Sequence, residues 1–199
     1  QLLAPIFDSQ AKAEAVRGGR LLAKGLNAGP GAACGVAVFN PEGAMELAKK
    51  GQKSVLVRSE TSPEDIHGMN AAEGILTSRG GMTSHAALVA RGMGKPCVVG
   101  CAALNIDYGT ASMEVKGRTI REGDFISMDG TTGEVIQGQI PTSSSEIIQV
   151  LIEKKVQPGD SLIYQQFAKL MSWADEIADL GVRTNADTPR DATVARLFG

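Results

Sequence analysis

The 199-residue chain carries 20 basic and 22 acidic residues, 43% hydrophobic and 21% charged content, and only 4% aromatics. That balance is ordinary for a globular protein; a net charge of -2 gives no reason to expect nucleic acid or an anionic membrane as the main partner, and so few aromatics argue against base stacking. No 18-residue apolar run or signal core is present, and Cys34, Cys97 and Cys101 form neither a CxxC pair nor an even disulfide framework.

Taken in chain order, residues 1–25 read as a lead-in segment with a helix over Ala11–Val16 that stops at Gly18-Gly19. Asn27-Ala28-Gly29-Pro30-Gly31 reads as a loop and Cys34–Phe39 as a strand. Pro41 starts a helix that runs to Lys50, with Gly51 after it. Ser54–Arg58 is a buried strand, and Thr61-Ser62-Pro63-Glu64-Asp65 has the hydroxyl, proline and acids of a helix start, for a short helix reaching Met69. Ile75-Leu76-Thr77 is the next strand, a helix follows from His85, and Cys97–Gly100 is a strand again. Strands alternating with helices predict an α/β layer with largely parallel pairing.

The pattern then turns antiparallel. Met113–Ile120 alternates around Lys116-Gly117, and Phe125–Met128 and Gly133–Ile136 bracket a turn at Asp129-Gly130-Thr131-Thr132. The fold class expected is therefore α/β, a layered β/β/α domain over residues 26–140. Pro141-Thr142-Ser143-Ser144-Ser145 reads as a polar linker, and it and Gly18-Gly19 are the two expected hinges. Helices are expected over Ser145–Lys154 and Gly159–Leu180, then a strand at Val182–Asn185 and a helix after Pro189. Residues 141–199 thus read as a linker plus the opening β/α unit of another domain, so the chain is expected to be an excerpt of a longer polypeptide.

Chemistry concentrates in Gly80-Gly81-Met82-Thr83-Ser84-His85-Ala86-Ala87. A strand, a glycine turn and a helix start bring free backbone N–H groups and the positive end of the helix dipole to one place. An anion fits there, and His85 offers a nucleophilic nitrogen. Gly80 and Gly81 permit close backbone approach, Thr83 can cap the helix and Ser84 can donate to a phosphoryl oxygen. Covalent phosphoryl transfer through a phosphohistidine is the expectation. Arg79 and Arg91 flank the segment as candidates for phosphate or partner contact. His67 lacks any such surroundings and reads as a surface histidine, and Asp129-Gly130 reads as a turn, with no metal site expected.

At these residues the chain resembles the mobile phosphohistidine domain of phosphoenolpyruvate-utilising enzymes. The resemblance runs through Gly80–Val98, Glu60–Ile66, Ala72–Thr77 and Asp129–Val135, and within the family it is greatest toward the pyruvate, phosphate dikinases. Val182–Pro189 resembles the entrance to their phosphoenolpyruvate-binding barrel. The resemblance implies that His85 takes a pyrophosphoryl group from ATP at a separate ATP-grasp domain and passes a phosphoryl group to pyruvate at the barrel. It further implies a swivelling motion, Mg2+ held by domains outside this chain, a homo-oligomeric parent, and a cytoplasmic or organellar setting. In plant members the threonine two positions before the histidine is a regulatory phosphorylation site, which corresponds to Thr83. Phosphoenolpyruvate synthase, the first enzyme of the sugar phosphotransferase system and a non-catalytic docking module of the same fold remain the alternatives.

Overall fold

The computed structural model describes residues 2–179, 181 and 188–198. It divides into two units, residues 3–143 and residues 144–199. In the first, β1 (Ile6–Phe7) leads into α1 (Ser9–Arg17), followed by β2 (Leu21–Lys24), β3 (Leu26–Gly29) and β4 (Ala32–Val38). Next come α2 (Pro41–Lys49), β5 (Ser54–Arg58), a short 3-10 turn at Pro63–Asp65, α3 (Ile66–Ala71) and β6 (Gly74–Thr77). Then α4 (His85–Gly92) and β7 (Cys97–Val99) complete the helical half. The rest is strand: β8 (Asn105–Asp107), β9 (Ser112–Val115), β10 (Arg118–Arg121), β11 (Phe125–Asp129), β12 (Glu134–Gln137) and β13 (Thr142–Ser143).

Eight strands form one sheet in the order β2-β12-β11-β4-β5-β6-β7-β3. Its centre, β4 to β7, is parallel and its flanks are antiparallel. Side chains alternate between two cores, as a period of two requires. Val55, Val57, Leu76 and Val98 face a β/β core shared with Met113, Val115 and Ile120 of the three-stranded β10-β9-β8 ribbon. Leu56, Ile75, Cys97 and Val99 face the helices, where Ala44, Met69, Ala86, Ala87 and Ala90 cover them. The small alanines of α4 let that helix lie close to the sheet. The α/β class and the β/β/α layering are thus present as expected. The β9–β10 hairpin turns at Lys116 and Gly117, both at positive φ (51° and 72°), as expected for a two-residue loop.

Four expectations need correction. Residues 1–25 are no separate lead-in: β2 pairs with β12, and α1 packs Ala15 into a third core with Phe7, Cys34, Ile136 and Ile140. Gly18-Gly19 is accordingly no hinge, since both amides and that of Arg20 bond back to the end of α1. Thr142 and Ser143 pair with Phe7 and Ile6, so two of the five residues of the expected linker are strand and the division falls between residues 143 and 144. Of Asn27–Gly31, expected as loop, residues 27–29 belong to β3 on β7, because Gly29 lets the backbones meet: a Cβ there would lie 2.5 Å from the Lys95 carbonyl oxygen.

The second unit contains α5 (Glu146–Leu151), a 3-10 turn at Pro158–Asp160, α6 (Leu162–Ile177) and α7 (Pro189–Phe198). Ser145 and Ser161 cap α5 and α6, and the Ser161 hydroxyl donates to Glu146 at 2.5 Å, fixing the two helix starts together. The strand expected at Val182–Asn185 lies outside the described residues.

A charge cluster ties α1 to the β11–β12 turn. The Lys12 ammonium pairs with Asp129 and, at 2.7 Å, with Glu134. Asp129 also accepts the Thr131 and Thr132 amides at 2.8 and 3.2 Å, so it is a turn residue, as expected. Burial opposes its ionisation, but the Lys12 bond and the two amides outweigh it and hold its pKa below the usual range; Lys12 does the same for Glu134. Both carboxylates therefore contribute stability above their unfolded pKa values, and that stability is lost as pH falls through the depressed folded values. Lys12 is raised, although burial alone would lower it, so its share is lost only in strong alkali. Lys12→Met is expected to cost about 1–3 kcal/mol near neutral pH, read as a lower thermal midpoint. The gap between the two proteins should close as pH falls below about 4; a gap that persists there would contradict the ion-pair origin.

Candidate functional site: a histidine at a helix start

The segment expected to carry the chemistry lies at the C-terminal ends of β5 and β6. Strand β6 ends at Thr77, and the chain crosses Ser78 and Arg79 before turning at Gly80 with φ +95°. A side chain at residue 80 would be strained there and would meet Ser84 Cβ and Oγ at 2.9 and 3.0 Å. The helix cap falls on Ser84, whose Oγ accepts the Ala87 amide at 3.4 Å. Thr83 was expected as a cap and is instead an exposed side chain one residue too early. His85 is the first residue of α4, half-buried, where the helix leaves its opening amides for an anion.

A hydroxyl holds its ring. Thr61 Oγ1 lies 2.9 Å from His85 Nδ1, and Thr61 is nearly buried at 9% exposure. With Thr61 accepting from Nδ1–H, the lone pair resides on Nε2, the nitrogen left for an electrophile. Sequence reading took Thr61 only as part of a helix start. No local signal could assign it to the site, since the contact spans 24 positions, with α3 and β6 between. The cap of that start lies on Ser62, whose amide donates to Asp65 at 2.8 Å.

The two flanking arginines divide. Arg91 donates to the carbonyls of Met82 at 2.7 Å and Ala28 at 3.2 Å, bracing the loop before His85 against β3. Two of its guanidinium N–H groups thereby hold main chain, which gives Arg91 a part in positioning the loop. Arg79 is exposed beside Gly80, its amide held by the Ser59 carbonyl at 2.8 Å. His67 is exposed on α3, away from any such cluster. The three cysteines are free and buried; burial pushes the Cys97 thiol up to about 12 and Cys101 up to about 11, so they are packing residues. Among the described residues no group of three or more His, Cys, Asp or Glu side chains gathers as metal ligands. No described helix is long and apolar enough to cross a membrane.

Gly80→Ala tests the turn. It is expected to destabilise the fold by about 1–3 kcal/mol, from strain at positive φ plus the clash with Ser84. It should also move the His85 ring signals in a histidine-selective NMR spectrum. Unchanged stability and unchanged ring signals would show that the turn does not depend on glycine.

Residues 50–133 match the family described as PEP-utilising enzyme, mobile domain. Pyruvate, phosphate dikinase of Rhizobium meliloti (strain 1021) is 47% identical over 199 residues, all of this chain and 20% of the relative. That of Giardia intestinalis is 50% identical over 179 residues, 90% of this chain and 18% of its own length, and that of Clostridium symbiosum is 45% identical over 199 residues, again 100% and 20%. The chain spans about a fifth of the length of these relatives. A solution structure of an Enzyme I protein (nEIt) aligns over 61% of this chain and 37% of its own, at 24% identity and a TM-score of 0.32. Residues 50–133 therefore match the mobile domain of the phosphoenolpyruvate-utilising enzymes, and the chain as a whole is similar to about a fifth of the pyruvate, phosphate dikinases.

Proposed function

We propose that His85 is the phosphoryl carrier of a pyruvate, phosphate dikinase, and that this chain supplies the carrier domain within a larger polypeptide. One observation carries the reading: His85 opens a helix with Nδ1 tied to Thr61 and Nε2 free, on an exposed loop of Gly80, Met82 and Thr83. A catalytic residue that works in one fixed cleft has no need of such exposure, whereas a group that visits two sites does. The Nε2 lone pair attacks the β-phosphorus of ATP and AMP leaves, giving a pyrophosphorylated His85. The outer phosphoryl group passes to inorganic phosphate as pyrophosphate. The remaining one passes to the enolate oxygen of pyruvate as phosphoenolpyruvate, and the imidazole is restored. The first-turn amides of α4 favour the phosphoryl group in the carried state. A phosphoramidate with Nδ1 held keeps the ring aimed at each acceptor.

In this reading ATP and Mg2+ bind an ATP-grasp domain and pyruvate binds a barrel domain of the same polypeptide, and His85 carries the phosphoryl group between them. Residues 144–199 are read as the linker and first unit toward that barrel. The domain swivels between its two partners, with a hinge near the division at residues 143 and 144. Gly80, Gly81 and Ser84 shape the phosphoryl site, and Arg79, exposed next to it, serves phosphate or partner contact. The parent is proposed as a homo-oligomer of the cytoplasm or an organelle, where the free buried thiols suit a reducing setting. Phosphorylation of the exposed Thr83 would set about two negative charges beside the phosphoryl route and inhibit transfer.

Incubating the full-length polypeptide with labelled phosphoenolpyruvate tests the reading. Label on His85 is expected to be acid-labile and stable in alkali. His85→Asn should reduce it to background with the thermal midpoint kept, and His67→Asn should stay within about twofold of the unaltered protein. Equal loss from both changes would overturn the distinction between His85 and His67, and no label in the unaltered polypeptide would favour the non-catalytic docking module. Turnover of pyruvate and ATP without inorganic phosphate would favour the synthase.

A further inference from the structure

The loop that carries Thr61 is itself clamped, and the clamp comes from the other β layer. Tyr108 lies in the turn between β8 and β9. Its hydroxyl accepts the Ser59 amide at 2.7 Å and shares a second bond, 3.0 Å, with Ser59 Oγ. The Arg58 guanidinium stacks over the same ring, 4.9 Å from its centroid, donates to the Phe39 carbonyl at 3.2 Å and reaches Asp65 at 3.4 Å. Asp65, 2% exposed, closes the far end of the loop by accepting the Ser62 amide at 2.8 Å. The Ser59 carbonyl meanwhile accepts the Arg79 amide at 2.8 Å, one residue before the Gly80 turn.

Both segments that meet at His85 are therefore anchored through Ser59. The 59–65 loop delivers Thr61 to Nδ1, and the 78–84 loop delivers the helix start. Resting on the reading of His85 as phosphoryl carrier, we propose that Tyr108 is a positioning residue for His85: its hydroxyl holds Ser59, Ser59 sets the depth of Thr61, and Thr61 holds the imidazole with Nε2 forward. Tyr108 touches neither the ring nor any reacting atom, so it acts only through Thr61. The ribbon β8–β10 then has a role at the site besides covering the β/β core. Phosphoryl transfer tolerates little misalignment between nucleophile and phosphorus, so a loosened ring slows transfer without weakening substrate binding.

Tyr108→Phe keeps the ring under Arg58 and removes only the hydroxyl. Two measurements apply. In nitrogen-15 spectra of the 199-residue chain, the His85 ring is expected to move from a single Nδ1–H tautomer toward a mixture, with the thermal midpoint little changed. In the full-length polypeptide, labelling of His85 from phosphoenolpyruvate is expected to slow about tenfold at unchanged half-saturating concentration. Thr61→Val should slow it at least as much, and the double variant should lose no more than Thr61→Val alone, because both act through one contact. Ser59→Ala, which removes the 3.0 Å contact, is expected to move both readouts in the same direction by less. An unaltered tautomer and rate in Tyr108→Phe, or losses that multiply in the double variant, would overturn the proposal. The ring spectrum needs no phosphoryl donor, so it tests the Tyr108 relay even if His85 takes no label.

Discussion

Only Gly25 separates β2 from β3, yet these strands stand at opposite ends of an eight-strand sheet. Two consecutive residues span only about 3.8 Å, so the sheet must curl until its ends meet. The Gly25 amide donates to the Gly133 carbonyl at 2.9 Å, extending the β2–β12 pairing, and Gly130 donates to Gly31 at 2.7 Å, extending that of β11 with β4. Gly130 is there because nothing larger fits: a Cβ on it would lie 1.8 Å from the Gly29 carbonyl oxygen. The curled sheet has both faces of β4 to β7 covered, one by the ribbon and the other by the helices, which sets where α4 must sit.

From that constraint follows the form of the site. Parallel strands β5 and β6 end side by side, and the loops leaving them, 59–65 and 78–84, emerge together. Thr61 sits on one loop and His85 at the close of the other. Their 2.9 Å contact joins two segments that are remote in sequence but adjacent in the sheet. Arg91 and Tyr108 brace these loops from β3 and from the ribbon respectively. The histidine is thus rigidly oriented while its free nitrogen stays at the surface, a combination that suits a group handed between separate sites.

Energetically the two halves of this arrangement differ. The cores beneath α2, α3 and α4 are small and close-packed, with alanine dominating the helical side, so the platform resists deformation. The loops above depend on single hydrogen bonds, each worth about 0.5–1.5 kcal/mol net. Substitutions in the loops are therefore able to change the ring's orientation without unfolding the domain. Substitutions where the sheet ends meet or in the alanine face act on the whole.

The sequence determined a good deal by itself. The apolar runs in Ser54–Arg58 and Cys97–Val99 marked the buried strands, Pro41 and Gly51 bounded a helix, and Lys116-Gly117 marked a hairpin, because each is a local conformational preference. The glycine–hydroxyl–histidine run at residues 80–85 pointed to a phosphoryl carrier for the same reason: turn, cap and nucleophile are contiguous. Tertiary structure alone decided the rest. Ser84 rather than Thr83 became the cap, since the Gly80 turn sets which residue leaves the helix. Arg91 was drawn to two carbonyls, β3 formed where glycine and proline argued for a loop, and residues 6–24 joined the domain by pairing and packing with distant strands. Thr61 and Tyr108 reached the site only because strand pairing and a second β layer brought their loops beside it. Such contacts depend on which strands neighbour one another in space, and local residue preferences carry no record of that.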